Sequence, residues 1–86
     1  MTVKDYFIND LCLKGFSSQQ AVPCIDFCIP KIQESLDNLD YKITFDRPCD
    51  EYQTLILRLL IFNSKPFVLE WIENNLPNAW FKEIFK

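Results

Sequence analysis

The chain contains no histidine and only one glycine among its 86 residues. Histidine is the side chain that most often moves protons near neutral pH, so the usual acid–base centre is missing. The base that normally activates a serine or cysteine nucleophile is missing with it. A single glycine cannot build the glycine-rich loop that cradles phosphate groups. We therefore predict a protein without enzymatic activity, with no catalytic residues and no cofactor.

Long apolar runs are also missing from the chain. The longest covers about eight residues and contains Arg58, whereas a membrane-spanning helix needs about 20 apolar residues. The N-terminus includes the charged residues Lys4 and Asp5 and lacks the apolar stretch of a secretory signal. These features predict a cytoplasmic protein that makes no membrane contact.

Acidic residues outnumber basic ones, and they are concentrated in the middle of the chain. The net charge is −3, and residues 26–51 contain seven acidic and three basic side chains, which gives that segment −4. A phosphate backbone would be repelled there, so we predict no direct nucleic-acid binding. Two interpretations of the acidic segment remain open, a solvated face that keeps the protein in solution and a contact for a basic partner surface.

What the chain does contain is apolar side chains, which make up 49% of its residues, with 15% aromatic. A chain of this length forms one domain, here residues 1–86, and buries about 60–65% of its surface. Hydrophobic periodicity predicts a mainly α fold, a compact bundle of four to five short helices. A fold with one short β element at 41–45, and hence an α+β class, is the alternative.

The N-terminal half contains capping residues for one helix and a segment in which polar and apolar residues alternate. Thr2 and Asp5 match a capping box for a first helix over 3–14, and Gly15 stands where a left-handed C-terminal cap belongs. Residues 41–45 alternate between polar and apolar, which is typical of a strand or an extended connector, although no partner strand is evident.

Two prolines complicate the second helix. We expect it to begin at about Pro23, because proline fits the first turn, where its missing donor costs nothing. Pro30 should then kink or divide it, since proline crowds the carbonyl four residues back.

The C-terminal half should form three further helices, over 51–62, 64–75 and 78–85. The first is apolar around almost all of its circumference, with Arg58 as the exception, so we expect it to be central and buried. A β-strand over 54–62 is the alternative, because the period of a short apolar run does not distinguish the two. Ser64 followed by Pro66 is the favoured order of cap and proline at the start of the next helix.

The four cysteines allow three interpretations. Cys24 and Cys28 are one helical turn apart, but the spacing with Cys12 and Cys49 differs from that of zinc fingers and ribbons. Disulfides are disfavoured without a secretion signal. We favour core packing, because free cysteine behaves as a small hydrophobe, and a four-cysteine zinc module stays open as an alternative.

Aromatic residues near the C-terminus are the strongest candidates for a binding site. Tryptophan and other large rings are enriched where proteins bind one another, although a domain this small also needs rings to complete its core. Together with the acidic segment they form the predicted partner-binding set: Trp71, Trp80, Phe81, Phe85, Asp37, Asp40, Asp46, Asp50 and Glu51.

One resemblance accompanies these patterns. The series Phe45-Asp46-x-Pro48, then Tyr52, then Trp71-Ile72-Glu73-x-Asn75-x-Pro77-x-Ala79-Trp80-Phe81 resembles small phage-encoded accessory proteins over about residues 45–85. The resemblance implies a host-protein partner or self-assembly, in the cytoplasm of the host cell, and transfers no functional residue. Our leading hypothesis is a protein-binding module that inhibits or modulates a host protein by occupying its surface. The alternative is a self-assembling subunit, either a homodimer or a minor virion component.

Overall fold

A computed structural model describes residues 1–38, 45–49 and 54–86, and within these ranges the chain is almost entirely helical. The predicted mainly α class is confirmed. The helices are longer than the predicted short ones, because two of them exceed 20 residues. In chain order they are α1 (Val3–Leu13), α2 (Ser18–Asn38), α3 (Thr54–Asn75) and a C-terminal 3₁₀ helix (Trp80–Phe85).

The start of α1 is built as the capping box predicts. Asp5 N donates to Thr2 Oγ1 and Thr2 N donates to Asp5 Oδ2, both at 3.1 Å. The hydrogen bonds from the Thr2 backbone and side chain lower the pKa of Asp5. The two remaining backbone N–H groups of the first turn donate to carbonyl oxygens of the segment 45–49. Val3 N donates to Arg47 O at 2.9 Å, and Lys4 N donates to Phe45 O at 3.0 Å. All donors of the first turn that a helix leaves unsatisfied therefore find partners.

Residues 45–49 tie the N-terminus to the core. Thr2 and Pro48 form an isolated antiparallel bridge, and the buried Phe45 ring meets Phe7 edge to face with centroids 5.6 Å apart. The predicted β element at 41–45 falls mostly on residues 41–44, which lie outside the described residues. Phe45 itself belongs to a turn.

Helix α2 runs through both of its prolines, so the predicted start near Pro23 and the predicted division at Pro30 are wrong, and the kink at Pro30 stays a prediction. Each proline removes one backbone hydrogen bond, but the two are seven residues apart and both are exposed. They therefore share the solvent face, where water can satisfy the carbonyls that lose their donors. The opposite face is buried and holds the helix in place, through Ala21, Cys24, Ile25, Cys28 and Ile32.

Helix α3 joins two of the predicted helices into one, and the predicted new start at Ser64 is also wrong. The Ser64 side chain is buried and donates to Ile61 O at 2.6 Å, which is a bond within a continuous helix and not a cap. Pro66 is exposed, as in α2. The expected helix start at 51 lies outside the described residues. The last predicted helix, over 78–85, is present as the 3₁₀ helix.

The core lies between the three α-helices, with the 3₁₀ helix packed against α3. The inner face of α3 contributes residues spaced three or four apart, namely Leu57, Leu60, Ser64, Val68 and Ile72. Exposed ion pairs join the layers, from Lys4 in α1 to Asp26 in α2 at 2.8 Å and from Lys31 in α2 to Glu70 in α3 at 3.7 Å. Among the described residues, no helix is both long and apolar enough to cross a membrane.

Adjacent leucines of α3 provide a direct test of which face is the core. Leu60 is 4% exposed and Leu59 is 53% exposed, although both belong to the same turn. Leu60→Ala should lower the free energy of unfolding by about 2–5 kcal/mol because it opens a cavity, and Leu59→Ala should lower it by less than about 1 kcal/mol. Urea unfolding followed by circular dichroism measures both. Equal losses would show that α3 is rotated from the orientation described.

Candidate protein-binding surface

Three large apolar side chains project from the outer face of α3. Leu55, Leu59 and Phe62 are 65%, 53% and 65% exposed. Their spacing of i, i+4 and i+7 places them within about 60° of the helix circumference, so they form one continuous ridge. We refer to these three residues as the α3 stripe. Lone exposed leucines are common on protein surfaces, whereas an aligned set of large apolar side chains is a candidate contact surface.

The stripe lies opposite the buried face of the same helix. Leu57 and Leu60 point into the core while the stripe points to solvent, so the first half of α3 is apolar on two sides. The prediction that this helix is buried all round is wrong for the outer side. The stripe is missed when every apolar residue of this helix is assigned to one core. The signal was present in the i, i+4, i+7 spacing of a second apolar set.

The charged residues beside the stripe are all basic. Residues 54–66 include Arg58 and Lys65 and no acidic residue. The two are seven apart, so they lie on the same edge of the stripe, within about 20° of each other around the helix. Lys65 Nζ is 5.5 Å from the centroid of the Phe62 ring, which is a cation–π geometry. The stripe is therefore an apolar ridge with one positively charged edge.

The other edge of the stripe borders a groove between α2 and α3. Its open volume is ≈ 290 Å³, and its walls are largely apolar. Asn63 lines the groove and lies next to the stripe around the helix circumference. The groove residues are Ile32, Ser35 and Leu36 from α2 and Leu60, Asn63 and Phe67 from α3. The stripe is therefore an apolar ridge that lies beside the groove, and both follow the axis of α3.

The predicted aromatic site is mostly core. Phe81 and Phe85 are buried against Phe16, with ring centroids 4.4 and 6.0 Å away. Trp71 is half-buried, 6.2 Å from the same ring. These three rings therefore pack as part of the hydrophobic core, which is the alternative interpretation given for them above. Trp80 differs, because it is 72% exposed.

The structure describes two of the predicted acidic contacts, and both are exposed. Asp37 is exposed on the last turn of α2, and Asp46 is exposed in the segment 45–49. Asp40, Asp50 and Glu51 lie outside the described residues. A basic partner surface for these acids stays a prediction.

The cysteines are distributed over three places. Cys24 and Cys28 are fully buried one turn apart in α2, Cys12 is half-buried on α1, and Cys49 Sγ donates to Thr2 O at 3.0 Å. The Cys28 hydrogen bond and burial raise the pKa of Cys24, so that thiol stays protonated and unreactive at neutral pH. Across residues 1–38, 45–49 and 54–86, no three metal-ligating side chains cluster.

The chain matches no protein-family model, no curated protein and no solved structure. The geometry of the surface is therefore the basis for a proposed function.

Proposed function

We propose that the protein is a non-enzymatic binding protein that docks to another protein through the α3 stripe. The observation that carries the proposal is the alignment of Leu55, Leu59 and Phe62, each more than half exposed, on the outer face of a core helix. Keeping these side chains in water has a cost of about 25 cal/mol for each Å² that a partner would cover. A partner that covers the stripe would recover that free energy.

The stripe is the centre of such an interface and not the whole of it. Ordinary side-chain areas give it on the order of 300 Å² of exposed surface, whereas a stable interface buries about 800 Å² on each partner. The remaining area has to come from neighbours on α3 and from the groove beside Asn63 and Phe67. This arrangement, an apolar centre with a polar rim, is the usual anatomy of a protein interface.

A binding protein of this kind acts on its partner by occupying a surface. That mode is the one implied by the resemblance to phage-encoded accessory proteins, some of which block host enzymes. It needs neither a proton-transfer group nor a bound metal. In this proposal the exposed Trp80 is a secondary contact at most, because it lies on the 3₁₀ helix and not on α3.

Removing the apolar stripe should abolish binding and preserve the fold. In the double variant Leu59→Gln/Phe62→Gln, glutamine keeps helix propensity and replaces side chains that are already in solvent. We expect a change in the free energy of unfolding of about 1 kcal/mol or less. We expect capture of native-host proteins by the tagged chain to fall at least about tenfold, since lost contacts at the centre of an interface cost more than about 1.4 kcal/mol.

Leu13→Gln is the matched control, because Leu13 is a lone leucine on α1 that is 88% exposed. It should bind like the wild type in the same capture experiment, read by quantitative mass spectrometry. If the double variant captures the same proteins at the same level as the control, the stripe is not the docking surface and the proposal fails.

A further inference from the structure

We infer that the α3 stripe receives an amphipathic helix of another protein, one that carries acidic side chains along one edge of its apolar face. This inference rests on the proposed function and names the class of partner for the same surface. It combines the shape of the surface with the sign of its charges.

The shape favours an elongated, regular partner. The stripe covers about 10 Å along the axis of α3, at 1.5 Å per residue, and the groove beside Leu60, Asn63 and Phe67 follows the same helix. A second helix can pack against a ridge that lies beside a groove. The side chains of that second helix at i, i+4 and i+7 would then fill the groove. A helix also satisfies its own backbone hydrogen bonds, which an apolar surface cannot do for an extended chain.

The charges favour an acidic partner. Arg58 and Lys65 occupy the edge of the stripe away from the groove, and no carboxylate of the described residues forms an ion pair with either. A helix lying on the stripe would place one of its edges beside both side chains. Acidic residues on that edge would gain charge-assisted contacts, and basic residues would be repelled.

A second copy of the chain fits this edge less well. If two stripes pack antiparallel, the two-fold axis brings the same edges together, so Arg58 of one copy meets Arg58 of the other. If they pack parallel, the basic edge of each copy faces the edge that contains Asn63 and Glu70, and Glu70 is already paired with Lys31 of its own copy at 3.7 Å. Self-association therefore brings like charges together in the first arrangement, and in the second the basic edge competes with Lys31 for Glu70.

Two synthetic helical peptides test the inference. Both carry leucines at i, i+4 and i+7, and they differ only in having glutamate or lysine at the flanking positions. Binding of each to the protein is measured by fluorescence anisotropy at low and at high salt. The whole chain has a net charge of −3, so general electrostatics favours the lysine peptide. A preference for the glutamate peptide must therefore come from the local basic edge.

We expect the glutamate peptide to bind about tenfold more tightly at low salt, which is what two exposed ion pairs can supply. High salt should reduce the preference. The variant Arg58→Glu/Lys65→Glu should reverse it, and Leu59→Gln/Phe62→Gln should abolish binding of both peptides, whereas Leu13→Gln should bind both as the wild type does.

Three results would overturn the inference, and the first two of them would leave the proposed function standing. The first is equal binding of the two peptides or a preference for lysine. The second is no binding of either peptide by a protein that still captures partners through the stripe. The third is a dimer in sedimentation equilibrium that the stripe variant dissociates, which would make the occupant a second copy. Failure of the proposed function itself would appear separately, as capture that does not depend on the stripe.

Discussion

Replacing Phe16 with alanine should lower the free energy of unfolding by about 3–5 kcal/mol, as expected for removal of a buried ring. Phe16 belongs to the connection between α1 and α2, yet its buried ring contacts residues of both α3 and the 3₁₀ helix. The ring centroids of Phe81, Phe85 and Trp71 lie 4.4, 6.0 and 6.2 Å away. The substitution therefore removes the contact that joins three parts of the chain, and the loss should be among the largest of any single position.

Trp80→Ala is the matched control for Phe16→Ala. Trp80 is an aromatic residue at the edge of the same cluster, but it is 72% exposed. Its removal should lower the free energy of unfolding by about 1 kcal/mol or less. Urea unfolding followed by far-ultraviolet circular dichroism measures both variants and does not depend on tryptophan emission. Comparable losses for the two would mean that the aromatic cluster is not organised around Phe16.

Replacing Gly15 with alanine should lower the free energy of unfolding by about 2–4 kcal/mol, for two reasons that add. Gly15 has a φ of 121°, a backbone conformation that residues with a side chain rarely adopt. A Cβ at this position would also lie 2.8 Å from Cδ1 of Phe81 and 2.8 Å from Cζ2 of Trp80. Alanine thus strains the end of α1 and displaces the 3₁₀ helix.

A double-mutant cycle separates the strain from the clash. Adding Trp80→Ala to Gly15→Ala removes one of the two rings in the way, so part of the loss should be recovered. The backbone strain and the contact with Phe81 remain, so the recovery should be incomplete. A loss below about 0.5 kcal/mol for Gly15→Ala alone would contradict the tight approach of the 3₁₀ helix to this glycine.

The proposed binding surface gives α3 two tasks. Its inner face, with Leu57 and Leu60, holds the fold, and its outer face, with the α3 stripe, is available to a partner. The division suits a small domain, because a helix fixed by the core presents its outer side chains in a rigid arrangement and loses little entropy on binding. Substitutions on one face should therefore affect stability and those on the other face should affect binding.

The ends of α1 could be predicted from the sequence because they depend on neighbouring residues. Thr2 and Asp5 satisfy each other's backbone donors without help from the rest of the chain. Gly15 can adopt its positive φ because it has no side chain. The mainly α class follows from hydrophobic spacing, which is also a local property.

The interiors of α2 and α3 could not be predicted in the same way. Pro23, Pro30 and Pro66 are local breaking signals, but each lies on an exposed face, and the buried face opposite stabilises the helix by more than the lost hydrogen bonds cost. Ser64 is a helix-start signal in the local sequence. In the folded chain its side chain is buried and donates instead to Ile61 O within the same helix.

The candidate binding surface shows most clearly what the local sequence could not predict. Residues and spacing were sufficient to show that the chain has no histidine and that its C-terminal half is rich in apolar side chains. They were not sufficient to tell which of those side chains face the core, because a helix that is apolar all round has no preferred side until neighbours cover one of them. Packing of α3 on α2 and on the 3₁₀ helix buried Leu60 and Phe81 and left Leu59, Phe62 and Trp80 in solvent.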